Sequence, residues 1–156
     1  MKLILTADDL YMFKWWVYES YAIHDNCKGL TGAVITIGNV AVTRLSIKQK
    51  IQGKSSTEDD IIGMDNAFPQ ALCTKYFLDT QWYTVEENIM YQENKSAILL
   101  ETHRKMSSSN HTKQIKVRLF FIKDVIVSGY LSVDYLLTEK MWVDVLIKTL
   151  QGNELK

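Results

Sequence analysis

The stretch WVYESYAIH, residues 16–24, runs from an apolar, strand-like segment into a polar loop. Metal-dependent nucleases often place a carboxylate at such a strand end, because hard divalent cations favour oxygen ligands. Here the position holds Tyr18, with Glu19 beside it. A phenol ionises at about pH 10, so Tyr18 is neutral near pH 7 and a poor magnesium ligand. Glu19 can take over only if the strand ends or bulges there, since successive strand side chains point to opposite faces. The other acids have plain readings. Ser55 followed three residues later by Glu58 is a capping box. Glu93 ends a short strand, and Asp144 lies on an amphipathic helix as a solvated carboxylate would. His24, His103 and His111 have no partner that the sequence identifies. Cys27 and Cys73 show neither metal-motif spacing nor a disulfide framework, which suits a reducing compartment.

Two stretches carry positive charge without an acid: RLSIKQKIQGK (44–54), with Lys48, Lys50 and Lys54, and THRKMSSSNHTKQIKVR (102–118), with Lys113 and Arg118. Either can contact phosphates, or simply be a solvated face balanced elsewhere. The balance exists: 18 Lys and Arg offset 18 Asp and Glu, so attraction of a polyanion to the whole molecule is not expected. Trp15, Trp16 and Tyr18 read as sheet and core aromatics rather than as base-stacking platforms.

The elements that must position these groups follow from periodicity. Residues 12–18, 31–38 and 40–47 are β-prone, with a Gly38-Asn39 turn signal between the last two, and predict three antiparallel strands. After Ser55 comes a helix whose apolar face is Ile61, Met64, Phe68, Leu72 and Tyr76; Pro69 inside it predicts a bend or loosening. A strand over 88–92, helices over 94–101 and 112–127, a strand over 130–136 and a final helix over 138–150, capped by Thr138, complete the order β-β-β-α-β-α-α-β-α. That order predicts one α/β domain over 1–156, a mixed sheet with helices against its faces. With 47% hydrophobic and 23% charged residues in 156, the chain can bury a core unaided. No apolar run reaches the roughly 18 residues of a membrane span, and the start is too short in apolar residues for a signal peptide. An intracellular, soluble protein without a membrane partner is expected.

Four blocks, KQKIQGKSSTEDDIIGMD, MYQENKSAILLE, KQIKVRLFFIKD and MWVDVLIKTLQG, closely resemble the ribonuclease H domain of copia-type LTR retrotransposon polyproteins. The resemblance covers nearly the whole chain, in order. It implies the ribonuclease H-like fold, a five-stranded mixed sheet that begins with the three-strand meander. It also implies a polyprotein parent with a reverse transcriptase domain, and a setting in cytoplasmic virus-like particles or the nucleus. The implied substrate is an RNA–DNA hybrid, cut by two Mg2+ or Mn2+ ions that four carboxylates hold.

Carried over by position, the resemblance implies that Tyr18 stands where the first carboxylate, an aspartate, is usual. Glu58 is the second, Glu93 replaces the third (again usually aspartate), and Asp144 is the fourth. Gln114 takes the place of a histidine and cannot titrate. Lys48, Lys50, Lys54, Ser55, Ser56, Asn94, Lys113 and Arg118 are the candidate hybrid contacts, where shape rather than base sequence would be read. Glu93 displaces its carboxylate by about 1.5 Å, one carbon–carbon bond. With a neutral Tyr18, the expectation is a catalytically impaired domain. The alternative is an active two-metal endonuclease in which Glu19 substitutes as a ligand.

Overall fold

The computed structural model describes residues 11–21, 28–38, 40–102, 113–141 and 143. Strands β1 (Met12–Ser20), β2 (Leu30–Ile37) and β3 (Val40–Lys48) form the expected meander. Helix α1 (Ser56–Thr80), strand β4 (Glu87–Gln92), helices α2 (Lys95–Thr102) and α3 (Lys113–Val127) and strand β5 (Ser132–Tyr135) follow. The sheet order is β3-β2-β1-β4-β5. β1 pairs antiparallel with β2 and parallel with β4, and β4 pairs parallel with β5. The order implied by the four blocks is therefore the observed one: a five-stranded mixed sheet with helices.

The pleat explains the packing. Phe13, Trp15 and Val17 of β1, Ala33 and Ile35 of β2 and Met90 of β4 bury one face of the sheet against Ile61, Met64 and Phe68 of α1 and Ile115, Leu119 and Ile122 of α3. Trp16, Tyr18, Val34 and Tyr91 face the other side and pack with Leu136, Met141 and Val143. Buried Trp15 donates its indole N–H to Asn88 Oδ1 at 2.7 Å, which satisfies the ring nitrogen.

α1 starts as the sequence indicates. Ser55 is extended, at φ −153° and ψ 163°, and its side chain accepts the Glu58 N–H. The Glu58 carboxylate reaches back to the Lys54 N–H at 2.8 Å. The helix runs on through Pro69; Ala71 is still in the core, Leu72 packs against it only partly buried, and Tyr76 is 48% exposed, so the apolar face thins out towards the end of the helix.

Three expectations change. β1 continues past Tyr18 to Ser20, because Glu19 and Ser20 pair with Thr31 and Leu30. β5 is shorter than 130–136: Gly129, at φ 73°, and Tyr130 still bond back to the end of α3, and β4 offers partners only for Ser132–Tyr135. Thr138 does not cap a helix; it opens a 3-10 turn, Thr138–Lys140, whose cap residue Leu137 makes no side-chain cap bond. Most of the remainder of the expected last helix, Asp144 included, lies outside the described residues, as do His24, His103, His111 and Cys27. No helix among the described residues is long and apolar enough to cross a membrane.

Candidate functional site

β1 and β4 run parallel and neighbour each other, so their carboxyl ends open at one edge of the sheet. Crevices outside such strand ends are where open α/β sheets usually bind ligands. A cavity of about 380 Å³ lies here, lined by Glu19, Tyr21, Ser56, Asp59, Asp60, Glu93, Asn94, Lys95, Ser96 and Thr138.

Each acid arrives by a different element. Glu19 continues the buried alternation Phe13, Trp15, Val17 and therefore points towards α1; it is 8% exposed. Asp60 sits in the first turns of α1, one turn before Met64, on the same buried side. Glu93 follows β4, and its carboxylate accepts the Thr138 hydroxyl at 2.5 Å. Asn94 joins two of the elements. Its side-chain oxygen accepts the Ser96 N–H at 2.9 Å and caps α2, while its amide donates to Thr57 and to the Asp60 carboxylate.

The electrostatics are those of acids crowded away from water. Burial, then the charge of Asp60, raises Glu19 well above the ordinary carboxylate range. Burial raises Asp60 to about 6, opposed by hydrogen bonds from Glu19 and Asn94. Two carboxyls can share such a bond only when one keeps its proton, and burial favours Glu19 as the one that does. The other Glu19 oxygen, Oε1, is buried without a hydrogen-bond partner. Behind the pair, fully buried Glu101 of α2 is raised to about 8, by burial and then by Asp60. Lys95 lies with its ammonium 4.4 Å from the Tyr135 ring centre, a positive group at the rim.

The sequence-derived residues divide. Glu19, Glu93, Ser56 and Asn94 line this cavity. Tyr18 does not: the pleat puts it on the opposite face, among Trp16, Val34 and Tyr91. Glu58 is buried and held by the Lys54 N–H rather than turned into the cavity, and Asp60, two residues on, takes that place. Gln114, Lys113 and Arg118 line a separate cavity of about 680 Å³ with Ile51, Asp65, Val117 and Phe121, where Arg118 forms an ion pair with Asp65. Lys48, Lys50, Lys54 and Ser55 are exposed at the end of β3 and in the connection to α1. The cavity residues that sequence reasoning passed over are Tyr21, Asp59, Asp60, Lys95, Ser96 and Thr138. Asp60 had a signal, its helical spacing from Met64; Thr138 had none.

A carboxylate-lined cavity with an orphaned acid oxygen suits a hard cation, because such ions take oxygen ligands. As the side chains stand, no three His, Cys, Asp or Glu groups among the described residues converge closely enough to hold a metal. Burial instead favours the protonated form of Glu19 beside Asp60, and Glu93 is turned to Thr138.

No family model matches the chain. The retrovirus-related Pol polyprotein of the tobacco (Nicotiana tabacum) transposon TNT 1-94 is 28% identical over 130 residues, covering 83% of this chain. The match spans 10% of that polyprotein's length. Among solved structures, LC11-RNase H1, isolated from compost by a metagenomic approach, superposes with a TM-score of 0.62 at 15% identity, covering 88% of this chain and 93% of the other. The same enzyme in complex with an RNA/DNA hybrid gives 0.63 at 12% identity, covering 86% and 93%. RNase H1 from the archaeon Halobacterium salinarum gives 0.59 at 9% identity, covering 85% and 90%. The chain thus has a ribonuclease H-like fold, a five-stranded mixed sheet with helices, and is similar in sequence to part of a retrotransposon Pol polyprotein.

Proposed function

We propose that this domain binds RNA–DNA hybrids and cleaves the RNA strand with Mg2+ or Mn2+, using Glu19, Asp60 and Glu93 as ligands, with Asp144 as a fourth by resemblance. The observation that carries this reading is the placement of Glu19. Its side chain lies on the α1 side of the sheet and lines one cavity with Asp60, and its Oε1 is buried without a hydrogen-bond partner. Bound ions would stabilise the attacking and leaving oxygens and help generate hydroxide near neutral pH. The chain's own residues supply the rest. Glu19 gives up its proton to become an acceptor beside Asp60, Asn94 orients Asp60, and Thr138 holds Glu93. Ser56, Ser96 and Lys95 on the cavity wall offer hydroxyls and one positive charge to phosphates of the hybrid backbone.

A second reading is a hybrid-binding domain that cuts slowly or not at all. It is favoured by the separation of the acids, three of which do not converge, and by the neutral amide of Gln114 in the other cavity. A labelled RNA–DNA hybrid decides between them. Cleavage that requires Mg2+ or Mn2+ and falls about a hundredfold or more in Glu19→Gln and in Asp60→Asn supports the first reading. Hybrid binding without cleavage supports the second. Cleavage that both substitutions leave intact overturns the ligand assignment.

A further inference from the structure

Glu19 reaches Asp60 through a gap in α1. Gly63 lies one turn beyond Asp60 on the same side of the helix, is buried, and faces the Glu19 side chain. A Cβ built on Gly63 would collide with Glu19 Cγ, Cδ and Oε1 together. Oε1 is the tip of that side chain, but Cγ and Cδ behind it clash as well, and Glu19 is only 8% exposed, so the whole carboxyl end would have to repack inside the protein. Glycine in a helix interior is less favourable than alanine. No turn or positive φ requires glycine at 63, because the residue lies well inside Ser56–Thr80.

We propose that Gly63 is a positioning residue: its missing side chain is the notch that lets a glutamate, rather than a shorter acid, present its carboxylate to Asp60 at the head of the cavity. The role of that carboxylate as a ligand rests on the reading under Proposed function; the notch does not. The length of residue 19 and the size of residue 63 are then matched. A side chain one methylene shorter draws back by about 1.5 Å, which is the room a Cβ at 63 needs.

The test is a cycle of Gly63→Ala, Glu19→Asp and the double variant, read by thermal unfolding in EDTA and by Mn2+ binding. Gly63→Ala alone lowers Tm by about 5 °C despite the better helix propensity of alanine, because overpacking outweighs it. In the Glu19→Asp background the same substitution leaves Tm unchanged or raises it. Mn2+ affinity falls about tenfold or more in Gly63→Ala and returns to within about threefold of the native value in the double variant. Equal Tm losses in both backgrounds, or Mn2+ affinity untouched by Gly63→Ala, overturn the proposal. Should the native domain bind no Mn2+ at all, the ligand reading fails, and the notch is then judged by the Tm cycle alone.

Discussion

Glu101 gives the sharpest quantitative consequence. It is 0% exposed, and neither carboxyl oxygen has a hydrogen-bond partner. The acids that face it are Asp60 from α1 and Glu19 from β1. Burial first, and Asp60 second, raise it from 4.5 to about 8. The folded value lies above the unfolded one, so folding retains a proton that the unfolded chain releases. Stability from this group is full below about pH 4.5, falls as pH rises, and levels off above about pH 8. Each pH unit in that window costs about 1.4 kcal/mol, and the interval from 4.5 to 7 therefore costs on the order of 3 kcal/mol. Glu101→Gln keeps the shape and removes the titration. In urea unfolding in EDTA, its stability relative to the native chain improves from pH 5 to pH 8 by that order of magnitude. Glu19 and Asp60 titrate in both proteins, so the difference between the two curves reports residue 101 together with its smaller coupling to these two acids. Parallel curves across pH 5–8 refute the reasoning, since they require Glu101 to be solvated or already ionised in the folded state.

Tyr18→Asp places a charge among Trp16, Met141 and Val143 on the face away from the cavity. It loses about 2 kcal/mol or more in denaturant unfolding and brings no gain in Mn2+ binding or cleavage; a gain in either shows that residue 18 does reach the site. Asn94→Ala removes both the α2 cap and a donor to Asp60, and lowers stability by about 1–2 kcal/mol, with part recovered in Asn94→Ser, which caps without reaching Asp60. Trp82, at φ 59° and 96% exposed, holds a left-handed conformation that suits glycine. Trp82→Gly raises stability by about 1 kcal/mol in the same assay, and a loss of stability means that the indole makes contacts that offset the strain.

How much of this was legible differs between fold and site. The meander, α1 with its Ser55 and Glu58 box, α2 and α3 follow from periodicity and capping, because each is decided within a few residues of itself. The ends of β1 and β5 are decided by partners instead: Leu30 and Thr31 draw β1 past Tyr18, and Ile89–Gln92 limits β5. One extra pair at the end of β1 settles which side chain meets α1. The alternation Phe13, Trp15, Val17 already pointed to residue 19, but only if the strand ran that far, and nothing local says that it does. The same rule of local occupation separates Glu58 from Asp60. A capping box engages its own glutamate, as the Lys54 N–H does here, and so argues against that residue also facing a ligand. Asp59, also buried, accepts the Gly53 N–H, and the acid that meets Glu19 is Asp60, where Gly63, one turn on, leaves the room for it. The carboxylate geometry is thus set by three elements meeting, with β1 fixed by the sheet, α1 by its cap and the β4–α2 corner by Asn94. No single stretch of sequence contains more than one of them.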